Sequence, residues 1–335
     1  MKQKSASQPA PKPSWKNAIL LTVAALALCA SPTIALAAEC LAETSWTDTT
    51  GSWFVAANWF NNQPPTSTIG AQINNGGTAQ VGGPGAAACD LTVGYNATDS
   101  GRVSVDTGSL VVGQEAEIGA FGKGTLTITN RGSVTAQFLT IAALGGVSSI
   151  GTVSVDAARS TFTASDGVYV GGDPGGAGGI GLLSATNGGT VSAASVYVFP
   201  SGTLTGNGTI SITATYGVTF DGTLEPSGGT LSITGNGSLT MHSGAAMLSK
   251  VVPASADNVH VSASGGAFLN GRLTVTMTGT FTPGTTYTLL TAEGGRHGTI
   301  FSSVSITFPM GQGFTPQIIY DTNHVYLNLA SNTGP

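Results

Sequence analysis

Charge is scarce in this chain: 8% of its 335 residues are Asp, Glu, Lys or Arg, against about 25% in an ordinary soluble domain. That excludes the broad basic patch nucleic-acid binding requires. Histidine is sparse too, with four residues isolated at 242, 260, 297 and 324. There is no His-Glu-x-x-His and no Cys-x-x-Cys, so no metal centre and no cofactor are expected. No Gly-x-Ser-x-Gly nucleophile elbow occurs. Gly122-Lys123-Gly124-Thr125 has the look of a phosphate-loop fragment, but Glu117 stands where the first glycine belongs. That run reads as a turn with an exposed lysine. Outside the N-terminal segment no stretch has amphipathic-helix periodicity. Disorder is excluded as well, because the low charge comes with strong alternation of Val, Ile and Thr.

What is present is a repeat. Gly101-Arg102-Val103-Ser104-Val105-Asp106 returns as Gly124-Thr125-Leu126-Thr127-Ile128-Thr129, Gly151-Thr152-Val153-Ser154-Val155-Asp156 and Gly181-Leu182-Leu183-Ser184-Ala185-Thr186. This spacing falls in the range of solenoid units, which bury their apolar faces only by stacking. A second alternating run follows each block, as in Gly132-Ser133-Val134-Thr135-Ala136, and a third closes it, as in Leu139-Thr140-Ile141 and Val168-Tyr169-Val170. Period-two alternation buries one face of each strand. Three strands per unit, with Gly, Asn and Asp at the corners, predict an all-β chain wound as a parallel β-helix. Val103/Val105, Leu126/Ile128, Val153/Val155 and Leu183/Ala185 form one inward wall, stacked about 4.8 Å apart. Leu110/Val112, Val134/Ala136, Phe162/Ala164 and Val191/Ala193 form the second, and Leu139/Ile141 with Val168/Val170 the third. A β-sandwich of hairpins is the alternative, but hairpins would not keep three aligned columns.

Lys2, Lys4, Lys12 and Lys16 precede an apolar run from Ala18 to Ala30, Pro32 ends it, and Ala35-Leu36-Ala37 supplies small residues. This predicts a secretory signal peptide over residues 1–37, cut between Ala37 and Ala38. The apolar run is short for a membrane anchor, the other reading. Its removal takes four of the eleven basic residues and none of the sixteen acidic ones, leaving 7 − 16 = −9. Such a surface repels nucleic acid and anionic lipid. The cysteines that remain, Cys40 and Cys89, are expected to form a disulfide in an oxidising compartment; two unpaired buried thiols are the alternative.

Residues 38–89 hold Trp46, Trp53, Asn58-Trp59 and Pro64-Pro65 and read as a cap over the open solenoid end, or else as a sugar-stacking platform. Residues 90–240 read as the solenoid, and 241–335 as a C-terminal β section. In that last section Arg272-Leu273-Thr274-Val275-Thr276, Tyr287-Thr288-Leu289-Leu290 and Val325-Tyr326-Leu327-Asn328-Leu329 suggest a closing β layer. For catalysis the nearest candidates are Asp106 and Asp156, equivalent positions two coils and roughly 10 Å apart, which more naturally occupy corner turns. Thr125-x-Thr127 is the single Thr-x-Thr among the four first blocks, too little for an ice-binding ladder.

The pattern Trp46…Gly51-Ser52-Trp53…Ala57-Asn58-Trp59…Pro65 resembles the opening of bacterial secreted β-helix proteins related to autotransporter passengers. Gly124-Thr125-Leu126-Thr127-Ile128 with Gly132-Ser133-Val134-Thr135-Ala136 is similar to the repeat shared by autotransporters and PEP-CTERM-sorted surface proteins. Gly202 to Leu231 and Thr286 to Ala292 resemble passenger coils and their C-terminal section. The resemblance implies a right-handed helix on a protein exported through the periplasm and secreted or displayed by a Gram-negative bacterium. Residues 1–335 include neither a translocating barrel nor a Pro-Glu-Pro sorting tail, so the resemblance leaves the export route and anchor open. The expected function is structural or adhesin-like, without catalysis, with glycans, extracellular matrix or the protein itself as partners. A polysaccharide lyase or glycoside hydrolase on the same fold is the alternative.

Overall fold

The structure is a computed structural model that describes residues 40–144 and 149–332. The expected signal peptide and its cleavage site at Ala37 and Ala38 lie outside the described residues. Strands make up 59% of the described residues and helix 2%, and the strands form three long walls of a parallel β-solenoid. The first wall runs through eleven parallel strands, from Thr50–Ser52 to Ser303–Thr307. The second begins at Ala86–Ala88 and reaches Thr286–Ala292. The third begins at Ala42–Ser45 and reaches Ala267–Phe268. The second and third walls join into one sheet because Thr190–Val198 and Thr209–Phe220 each turn the corner between them as a single strand. This parallel ladder rules out the β-sandwich.

The register is the one the alternation predicts. Leu126 pairs with Val103 on one side and Val153 on the other, and Val153 pairs with Leu183. In the second wall Val134 lies between Leu110 and Phe162, and in the third Leu139 lies between Ala116 and Val168. Leu126, Ile128, Val153, Val155 and Phe162 are fully buried. Each such side chain removed from water contributes roughly 1.5–3 kcal/mol.

The glycine that opens each first-wall block has a steric cause. A Cβ on Gly151 would lie 2.2 Å from the Ile118 carbonyl oxygen and 2.6 Å from the Ala142 nitrogen. Only a residue without a side chain passes the third-wall strand of the preceding coil. The corner between first and second walls is set by a left-handed residue in each coil: Thr107, Asn130, Ala157 and Asn187, with φ of 59°, 53°, 75° and 51°. Asparagine tolerates this region better than most side chains.

The parallel pairing extends beyond residues 90–240 in both directions. Within residues 38–89, Ala42–Ser45, Thr50–Ser52, Ile69–Ile73, Asn75–Val81 and Ala86–Ala88 are already solenoid strands. Covering of the end falls to the segment from Trp53 to Pro65, where two 3-10 turns stand in place of a second-wall strand. Trp46, Trp53 and Trp59 are 2%, 1% and 1% exposed. Trp59 stacks edge-on against both others at 5.0 and 4.9 Å and donates its Nε1–H to the Trp53 carbonyl at 2.8 Å. Cys40 and Cys89 form a disulfide, with Cα atoms 5.6 Å apart. At the other end Arg272–Met277 is a first-wall strand, not part of a closing layer. The closing layer is the antiparallel hairpin Phe314–Tyr320 and His324–Ser331, which docks on Thr286–Ala292. A short hairpin of Val251–Val252 with Ser255–Ala256 projects from a first-wall strand and lengthens that coil.

Candidate functional site

With the core fixed, each wall presents two outward columns, and the three walls differ in chemistry. On the second wall Ser109, Ser133, Thr161, Thr190, Thr209 and Ser232 stack in one column. Val111, Thr135, Thr163, Ser192, Ser211 and Thr234 stack in the other. Eleven of these twelve positions carry a hydroxyl and none carries a charge. All are partly or fully exposed. Strand separation spaces them by about 4.8 Å along the wall and by about 6.6 Å across it, two residues of rise. Over six strands the grid is about 24 Å long. Ser109 accepts the Gly85 N–H at 3.2 Å, and the other hydroxyls face solvent. Each can donate one hydrogen bond and accept two.

The first wall is less uniform. Thr78, Arg102, Thr125, Thr152, Leu182, Thr203 and Thr223 stack beside Gln80, Ser104, Thr127, Ser154, Ser184, Thr205 and Glu225. Gln80, Arg102, Leu182 and Glu225 interrupt the hydroxyls, and Lys250 pairs with Glu225 at 3.2 Å. The third wall is acidic around Tyr169. Burial first, then the charges of Asp166, Glu115 and Asp173, raise that phenol above its ordinary pKa. Asp166 accepts from Gln137 at 2.9 Å and Glu115 from Thr140 at 2.9 Å.

Asp106 and Asp156 brace the corner between first and second walls. Asp106 accepts from Asn130 Nδ2 at 2.8 Å and Thr129 Oγ1 at 3.4 Å. Asp156 accepts from Thr186 Oγ1 at 2.7 Å and Asn187 Nδ2 at 2.8 Å. Those two hydrogen bonds, Thr186 foremost, hold the Asp156 pKa below the usual carboxylate value. A carboxylate satisfied by its neighbouring coil fixes the turn and is poorly placed to move a proton on a substrate.

One titratable cluster was not singled out from the sequence: Tyr197, Asp221 and His242, contributed by three successive coils. The Tyr197 hydroxyl donates to Asp221, and His242 Nδ1 lies 2.8 Å from the same carboxylate. The hydrogen bond to Asp221, then burial, pushes the Tyr197 pKa up to about 12. Burial opposes ionisation of Asp221, but Tyr197 and His242 together outweigh it, and its pKa falls below the ordinary value. A phenol held protonated and a carboxylate held ionised are both far from the neutral pKa that suits acid–base catalysis.

The tryptophans of the N-terminal pattern leave no ring face for a sugar, since all three are buried. Among the described residues no three His, Cys, Asp or Glu side chains are grouped to hold a metal ion, and no helix is long and apolar enough to cross a membrane. The sequence marks the walls as neutral and rich in Ser and Thr but does not single out the second, because each of its strands is short. The signal was nonetheless there, in Ser133-Val134-Thr135, Thr161-Phe162-Thr163 and Thr190-Val191-Ser192, visible once those triplets are stacked. The geometry defines the class as a parallel β-solenoid with an uncharged hydroxyl wall. No protein-family model and no curated protein matches the chain.

Proposed function

We propose that this chain is an exported, non-catalytic binding protein that attaches to uncharged polysaccharide through its second wall. The observation that carries this reading is the uncharged grid across six strands in which eleven of twelve outward positions are Ser or Thr. Neutral hydroxyls match the donors and acceptors of sugar hydroxyls. Each contact is weak, but a repeated array raises avidity without any strong single site. The net charge of −9 on residues 38–335 favours uncharged over acidic glycans. The basic, apolar and small-residue order of residues 1–37 and the Cys40–Cys89 disulfide support export to an oxidising compartment. Secretion or surface display follows as part of the same reading.

Co-sedimentation of residues 38–335 with insoluble glucans and chitin tests it. The protein is expected in the pellet with at least one of them. The double variant Thr135→Lys/Thr163→Lys, which leaves the inward residues untouched, is expected to lose at least tenfold in affinity. Failure of the wild type to sediment with any of these polymers, or equal retention of the variant, overturns the reading. Release of reducing ends that disappears in Asp106→Asn or Asp221→Asn decides for the polysaccharide-degrading enzyme instead.

A further inference from the structure

The two ends of the solenoid expose matching features, and we propose that they bind each other head to tail, so that a second copy of this chain stacks on the first. This is independent of what the second wall binds. At the C-terminal end the last first-wall strand, Ser303–Thr307, pairs on one side with Arg272–Met277, and among the described residues its other edge has no strand. Val304 continues the inward column above Leu273. Leu273 is 0% exposed and Val304 is 42% exposed, a core position waiting for the next coil. At the N-terminal end the first-wall strand Thr50–Ser52 pairs only with Thr78–Gln80 among the described residues. The segment covering that end turns Phe54, Val55 and Phe60 outward at 46%, 47% and 59% exposure.

Two arguments select a second copy over another partner. The end strands of this wall both lack a second partner strand among the described residues, although the Ser52 carbonyl already accepts from the Val55 N–H and Asn58 Nδ2, and every ladder step between them is parallel. A copy translated along the axis therefore offers the strand direction that the wall already uses, and an unpaired edge is a ready template for a strand of that kind. Apolar side chains are exposed at both ends, Ile300 and Val304 at one and Phe54, Val55 and Phe60 on the covering segment at the other, and exposed apolar surface favours association. Contact between two different patches is heterologous and propagates, whereas a self-complementary patch closes at the dimer.

Sedimentation velocity on residues 38–335 tests this through one variant at each end. The wild type is expected to form a concentration-dependent series of multiples of the monomer mass. Val304→Lys and Phe60→Asp are each expected to sediment as single chains with an unchanged β circular-dichroism spectrum. Mixed together they restore one competent head and one competent tail, so the mixture is expected to stop at a 1:1 dimer. Should Val304→Lys fail to fold, Ile300→Lys, 55% exposed just before the same strand, takes its place. A wild type that stays monomeric at the highest attainable concentration overturns the proposal. So does a Phe60→Asp protein that still dimerises alone, which marks a self-complementary contact, or a mixture that remains monomeric.

Discussion

Reduction of the Cys40–Cys89 disulfide should uncouple the N-terminal coil from the rest of the solenoid. The bond spans 49 residues, and a closed loop of that size stabilises by about 4 kcal/mol when its effect is assigned to the entropy of the unfolded chain. In a solenoid each coil touches only its neighbours, so the loss stays local and does not spread over the whole molecule. The tryptophans make this measurable, because Trp46, Trp53 and Trp59 all lie inside the loop and residues 90–335 contain none. Tryptophan fluorescence therefore reports on the covered end, and far-ultraviolet circular dichroism on the walls. With a urea dependence of about 1–2 kcal/mol/M for a small segment, about 4 kcal/mol moves the fluorescence midpoint down by about 2–4 M. The circular-dichroism midpoint should move far less. Two curves that stay superimposed after reduction, or a fluorescence midpoint that does not move, would show that the disulfide does not hold the N-terminal coil in place.

The glycine column gives a sharper contrast. Gly151→Ala places a Cβ against two backbone groups and should cost about 3 kcal/mol or more in urea unfolding, whereas Gly82→Ala, with open space around it, should change stability by less than about 0.5 kcal/mol. Equal effects at the two sites would show that the close approach is not what selects glycine. The pH profile should have two flanks. Asp156 and Asp221 have lowered pKa values, so their contribution is complete above the unfolded value of about 4 and is lost as pH falls through the folded ones. Tyr197 is raised to about 12, so its contribution is complete below about pH 10 and is lost as pH rises through the folded value. The Tm difference between wild type and Tyr197→Phe should therefore shrink from pH 9 to pH 12, and a constant difference would contradict the hydrogen bond to Asp221.

How much of this was legible in the sequence depended on what each residue does. Val103, Leu126, Val153 and Leu183 announce themselves because period-two alternation and a shared opening glycine coincide. The corner that follows them was legible too, since left-handed backbone at Asn130 and Asn187 selects residue types that stand out. The corner between second and third walls is different. In Thr190–Val198 the chain rounds it at a register shift between Ala193 and Ser195, with no Gly, Asn, Asp or Pro to mark it. The two runs, Thr190 to Ala193 and Val196 to Val198, are thus one continuous strand in the structure. Beyond residue 240 the wall was masked by the hairpin of Val251–Val252 with Ser255–Ala256, which lengthens a coil without disturbing the wall. Tyr197, Asp221 and His242 are 24 and 21 residues apart, and only the stacking brings them together.

The direction of the ladder also decides how the molecule carries load. Hydrogen bonds between parallel strands run along the solenoid axis, so tension along that axis pulls one coil from the next and unwinds the end coil first. A pull applied at Cys40 does not begin there. The disulfide passes the force to Cys89, and residues 41 to 88, with the three tryptophans and the first two coils, are left slack. The first coil to feel the strain is the one after Cys89, where all three walls are complete. An anchored molecule held at its N-terminus would thus keep its covered end intact while the body of the solenoid bears the stretch.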